Sequence, residues 1–254
     1  MPERKRTKVV DKEEKQWYHK TYVTITEGGK RMKKKAFAEW FEGVFPHGCF
    51  WWLLAAVAWN MVVYYGSRLI TTGMVHHSVA LPIDAKIPLC VPFVIPYVLS
   101  YPFWLFNYWL IARENRETCR RVVTAEMMAK TVCLIIFLAF PTAMERPELT
   151  GNDPLTWVLR IIYTDPADNL LPSIHCLESW LCWRGLKGCR KTPGWYKTVS
   201  FFFALSVFAS TVFVKQHVIV DCPAAILIAE LCLFASAFIW NRKKTLPAGK
   251  LSDK

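Results

Sequence analysis

Two histidines carry the chemistry that this sequence offers. His217 lies four residues before Asp221 in the stretch Ser210-Thr-Val-Phe-Val-Lys-Gln-His-Val-Ile-Val-Asp221, and His175 follows Pro172-Ser173-Ile174. Each stands at the mouth of an apolar run, where an ionisable group is costly and is by default a functional hypothesis. If His217 and Asp221 share a helix, a spacing of four puts them on one face. The carboxylate then accepts from one ring nitrogen and leaves the other free to act as a nucleophile. His175 is available as general acid for a leaving group and then as base for water. Arg146 and Lys215 add fixed positive charge, and the planar arginine fork suits phosphate oxygens. Ser173 opens a helix after Pro172, so its hydroxyl either caps that helix or helps to bind an anion. Cationic clamp, oriented imidazole and second imidazole together describe metal-free phosphoryl transfer. The pairs His175/Glu178 and His217/Asp221 also carry metal-ligand types, but the basic neighbours Arg146 and Lys215 oppose a cation. No metal and no cofactor is therefore expected. Glu178, Asp165 and Asp168 are in reach of such a site and receive no role.

The elements that must position these groups are membrane spans. The chain has 254 residues and is 53% apolar, which places it among multi-span membrane proteins. Six candidate spans are expected, at Pro46–Tyr65, Ile87–Ile111, Thr124–Ala143, Pro172–Leu186, Tyr196–Val214 and Val218–Trp240. The second holds Pro88, Pro92, Pro96 and Pro102 and should be kinked or broken. The fourth is short and carries Glu178 and Arg184, so hydropathy alone does not find it. Loop charge supports keeping it. With all six spans crossing and the N-terminus cytoplasmic, 27 of the 32 basic residues lie inside, Lys130 among them, as the positive-inside rule expects. Both histidines then reach the non-cytoplasmic face. Spans three and four are joined there by a long loop, Met144–Leu171, whose Trp157–Tyr163 stretch suits the interface.

The expected architecture is thus an all-α, six-span transmembrane helical bundle. Residues 1–45 form a basic cytoplasmic tail in which Lys33–Glu42 suits an interfacial helix, 46–240 the membrane domain, and 241–254 a cytoplasmic C-terminal tail. The net charge of +12 lies beside apolar spans, which fits anionic lipid and argues against a nucleic-acid partner. The nine cysteines form no CxxC pair, so neither a disulfide framework nor a zinc site is expected. The first apolar run starts near Pro46 and is read as a retained signal anchor.

Arg146-Pro147, Pro172-Ser173-Ile174-His175 and Ser210…His217-x-x-x-Asp221 resemble the three signature motifs of the type 2 phosphatidic acid phosphatase superfamily. The resemblance covers about residues 130–230. It implies a six-helix membrane enzyme that hydrolyses or transfers lipid phosphates through a phosphohistidine. By the match His217 would be the nucleophile, Asp221 its orienting partner and His175 the acid/base, with Arg146, Ser173 and Lys215 holding phosphate. The sequence departs from the pattern at Ala139, where the family has lysine, at Ile174 (glycine) and at Thr211 (arginine). The Pro-Ser-x-His form is similar to the branch of inositol phosphorylceramide synthases. The implied activity is a phosphatase acting on a phospholipid or polyprenyl phosphate. A head-group phosphotransferase using the same site stays open beside it, as does a non-catalytic transporter or scaffold.

Overall fold

The computed structural model describes residues 29–245, and it is all-helical, with isolated bridges and no strands among those residues. Most of the basic tail, residues 1–28, and the last nine residues of the C-terminal tail lie outside the described part. The chain falls into two compact units, Met1–Pro46 and His47–Lys254. In the first, α1 spans Gly29–Val44 and encloses the expected Lys33–Glu42.

The second unit holds the long helices and the site they frame. These helices are α2 (Cys49–Thr71), α3 (Val94–Glu114), α4 (Arg116–Ala139), α6 (Ile174–Lys187), α7 (Gly194–Phe213) and α8 (Asp221–Thr245), with the short α5 (Pro154–Tyr163) between α4 and α6. Four of them, α2, α4, α7 and α8, are long and apolar enough to cross a membrane. Their outward side chains form an apolar coat, with Leu69 at 83% and Phe234 at 75% exposure, far beyond what a soluble surface tolerates.

Why α6 escapes that criterion is visible in its surroundings. It has 14 residues, about 21 Å of helix. It packs against α3, α4, α7 and α8 and buries Glu178 and Ser179. A helix lined by other helices answers to them rather than to lipid, so it needs no continuous apolar surface. Around it, Ala125, Ala129 and Cys133 of α4 share one core cluster with Ala225, Ala229 and Cys232 of α8. Small side chains at both contacts let these backbones approach closely.

Four element boundaries differ most from expectation, each for a local reason. Helix α4 begins at Arg116, eight residues before the expected Thr124, because the Asn115 side chain caps it by accepting the Thr118 N–H at 2.8 Å. Helix α3 begins at Val94, seven residues later than expected, after a 3-10 turn at Val91–Phe93. Pro88 and Pro92 precede it and Pro96 sits in its first turn, where a missing N–H costs nothing; only Pro102 is interior. Helix α2 runs on to Thr71 past a π-turn at Val62–Gly66, so Arg68 is helical rather than in a loop. Helix α8 starts at Asp221 instead of Val218, which leaves His217 in the preceding turn. In that turn Lys215 adopts the left-handed conformation (φ 54°).

A further correction concerns charge. Lys130 is 1% exposed, inside α4, and ion-paired to Glu178 at 2.5 Å, so it is no part of a cytoplasmic loop. None of the nine cysteines is in a disulfide.

Candidate active site

A cavity of about 370 Å³ opens where the C-terminal end of α2 and the N-terminal ends of α3 and α6 meet the turn before α8. His175, His217 and Arg146 all line it. Three motifs far apart in sequence therefore converge on one space.

The His217–Asp221 pair forms, though not on one helical face. His217 Nδ1 lies 3.0 Å from Asp221 Oδ2, and the same oxygen accepts the Val218 N–H at 3.2 Å. Asp221, first residue of α8, is fully buried and points back under the turn. A carboxylate oxygen that already accepts an amide N–H fixes the imidazole proton on Nδ1, so Nε2 keeps its lone pair. Among the described residues Nε2 has no hydrogen-bond partner, and the ring faces the cavity.

His175 is the second residue of α6, held by aromatic rings from α3. It stacks on Tyr97 with 4.2 Å between centroids, and its Nε2 lies 3.3 Å from the Tyr101 hydroxyl. The two imidazole centroids are 6.4 Å apart, close enough for a substituent on one to be reached from the other.

Arg146 comes from the loop after α4. Its Nη1 donates to the Asp165 carbonyl at 2.5 Å and its Nη2 to Gln216 Oε1 at 2.8 Å. Both acceptors are neutral, so the guanidinium charge is uncompensated by any ion pair, and its buried Nε has no partner among the described residues. Burial holds its pKa below the ordinary arginine value. Tyr163 of α5 stacks under it at 4.9 Å and donates its hydroxyl to the Val214 carbonyl at 3.0 Å. That phenol is pushed up to about 12 by burial, with Arg146 pulling the other way. The Asp153 side chain caps α5 by accepting the Leu155 and Thr156 N–H groups, which places Tyr163 at the far end. The Thr156 hydroxyl, ahead of its N–H, holds the Asp153 carboxyl below its ordinary value.

Ser173 and Lys215 stand outside this space. Ser173 is fully buried as the cap of α6, its hydroxyl accepting the Cys176 N–H at 3.3 Å. Lys215 Nζ donates to the Asp84 carbonyl at 3.0 Å, tying the turn to the loop before α3, and it does not line the cavity. Thr211 is fully buried, its hydroxyl on the Phe208 carbonyl of its own helix.

Several lining residues had no place in the sequence reading. Arg68 of α2 bonds Asp168 through Nε at 2.7 Å and Asp165 through its terminal nitrogens, and Tyr64 donates to Asp165. Unlike Arg146, Arg68 has its charge matched by two carboxylates. The i, i+4 spacing of Tyr64 and Arg68 was available as a signal, but Gly66-Ser67 between them reads as a helix stop. Among the described residues no three His, Cys, Asp or Glu side chains gather where they could hold a metal ion.

No protein-family model, characterised protein or solved structure matches the chain.

Proposed function

We propose that the protein is an integral membrane enzyme that cleaves a lipid phosphate ester through a phosphohistidine on His217. The carrying observation is the double acceptance by Asp221 Oδ2, which assigns the His217 proton to Nδ1 and leaves Nε2 facing a cavity that a second imidazole and an unmatched guanidinium share. In the first step Nε2 attacks phosphorus, the bond from phosphorus to the lipid oxygen breaks, and His175 gives that oxygen a proton. In the second step His175 takes a proton from water, the water oxygen attacks phosphorus, and the P–N bond breaks to release phosphate. Arg146 binds the equatorial oxygens in both steps. The Asp221 carboxylate balances the positive charge that His217 acquires when phosphorylated.

All six helices cross the bilayer in this reading; α6 is enclosed by its neighbours, while α3 turns Leu99, Leu105 and Phe106 outward to lipid. In the same reading the cavity opens on the non-cytoplasmic side, as the positive-inside rule expects from the loop charges. Its walls supply rings for an acyl or prenyl chain next to the charged floor.

One observation favours a transferase variant. Asp165 and Asp168 put carboxylate acceptors at the cavity edge, where hydroxyls of an alcohol acceptor would bind in place of water.

The test is phosphate release by purified protein from a panel of lipid phosphates, with and without an alcohol acceptor. His217→Ala should abolish turnover and trap no covalent species. His175→Ala given an activated aryl phosphate should show a burst of about one equivalent and accumulate an acid-labile phosphoenzyme. Finding that species in neither variant would favour direct attack by water and sink the covalent route.

A further inference from the structure

Behind the cavity lies a cluster of buried charges that the proposed chemistry leaves unused. Lys130 of α4 (1% exposed) pairs with Glu178 Oε1 of α6 at 2.5 Å. Glu178 Oε2 accepts the Tyr108 hydroxyl of α3 at 2.8 Å, and the buried Glu126 of α4 lies beside it. Charges this deep are rare, and those that persist are held by several partners at once. Lys130 is held in that way. Its remaining hydrogen bond runs forward to the Asn60 side chain on α2, and Asn60 lines the cavity.

The direction of that bond decides what the cavity meets. An ammonium has three donors and no acceptor, so the Asn60 atom against it must be the carbonyl Oδ1. The amide NH2 then stands on the other side of the group. Among the described residues it has no hydrogen-bond partner, whereas Lys130 itself does not line the cavity. The amide has no freedom to flip, because its NH2 would then face the ammonium, donor to donor. A bare asparagine presents either end to a ligand; this one presents two donors.

We infer that Asn60 is a specificity-determining residue, a fixed hydrogen-bond donor for an acceptor oxygen of the phosphorylated head group, and that Lys130 with Glu178 is the device that aims it. The inference rests on the phosphate reading of the cavity. It gives the first membrane helix a binding role: Asn60, Tyr64 and Arg68 stand along one wall. It also gives the buried ion pair a task beyond holding helices together. Lys130 is a positioning residue and touches no ligand.

Asn60→Asp separates the two roles. Aspartate still offers Lys130 an oxygen, so a purely structural asparagine would be replaced without loss. A head-group donor would not, because the cavity would meet a second acceptor oxygen carrying negative charge. The measurement is the affinity of dioctanoyl phosphatidate in detergent, against dioctanoylglycerol as the phosphate-free control, all in a His217→Ala background that does not turn over. The expected result is at least a tenfold weaker affinity for phosphatidate, with control binding and melting temperature unchanged. Should the aspartate variant melt early, Asn60→Leu removes the amide donor at similar volume without adding charge, with the same expectation for phosphatidate relative to dioctanoylglycerol. Unchanged phosphatidate affinity would overturn the inference and leave the phosphate reading standing. A parent that does not distinguish phosphatidate from dioctanoylglycerol would overturn that reading and this inference with it.

Discussion

Replacing Asp221 by asparagine tests the electrostatics of the candidate nucleophile more sharply than removing it, because the structure dictates how the amide must sit. Asp221 Oδ2 accepts both the His217 Nδ1–H and the Val218 N–H, while Oδ1 is buried without a partner among the described residues. An asparagine that turned its NH2 toward Val218 would set donor against donor. Its oxygen therefore takes the Oδ2 position, His217 keeps its tautomer, and only the charge is lost. The size of that loss follows from the charge His217 would gain on the proposed phosphorylation. Two unit charges about 4 Å apart in an effective dielectric of about 20 interact by about 4 kcal/mol. That corresponds to roughly a thousandfold in the rate of the first transfer. The new NH2 also lands at the unpartnered Oδ1 position, which should cost stability by about 1–3 kcal/mol. The assay pairs steady-state turnover of a lipid phosphate with the ¹⁵N shifts of the His217 ring. Turnover within fivefold of wild type would refute the idea that Asp221 serves a cationic intermediate. A changed tautomer, with activity as low as in His217→Ala, would refute the role given to the Val218 amide.

Four other outcomes are expected. Arg146→Lys should lower kcat/KM about a hundredfold, since one ammonium does not reach the Asp165 carbonyl, Gln216 and a phosphate together; near wild-type kinetics would show that the guanidinium is no clamp. Lys130→Met and Glu178→Gln should each destabilise by about 3–5 kcal/mol, and the double variant by less than their sum, as a double-mutant cycle in thermal unfolding would read. In a protein freed of native cysteines, a cysteine placed near Arg160 should react with an impermeant thiol reagent in intact cells and one near Lys187 should not; the reverse pattern would invert the topology. Activity should survive chelation and be inhibited by vanadate, a mimic of the five-coordinate phosphoryl transition state, whereas metal-restored activity after EDTA would point to the metal alternative.

Helices signalled by apolar runs were legible as helices, because length and hydropathy report directly on lipid contact. The core helix α6 was legible only through loop charge, since its neighbours rather than lipid satisfy Glu178 and Ser179. His175, His217 and Arg146 could be picked out because each breaks an apolar pattern locally. That they gather at one face was expected from the topology; the shape of the cavity they line was not legible, as it depends on how α3, α6 and the turn before α8 pack. The pairing of His217 with Asp221 was anticipated for a different geometry: a turn bridged by the Val218 amide replaces the expected helical face. Lys130 counts as a cytoplasmic charge by sequence, and Arg68 lies beyond the expected end of the first span at Tyr65. Nothing local distinguishes a buried lysine from a solvated one when its partners, Glu178 and Asn60, are 48 and 70 positions away.

The π-turn at Val62–Gly66 sets the phase of everything beyond it. In a regular α-helix each residue advances about 100°, so Asn60 and Arg68, eight apart, would be rotated about 80° out of line. A single wide turn absorbs one residue and brings them back onto the same wall of the cavity. Length changes in this helix should therefore be unequal in effect. Loss of one residue between Val62 and Gly66 lets the turn relax to α geometry while Arg68 stays facing Asp165 and Asp168. Gain of one residue has no slack left to take it up, and it swings the arginine toward the lipid.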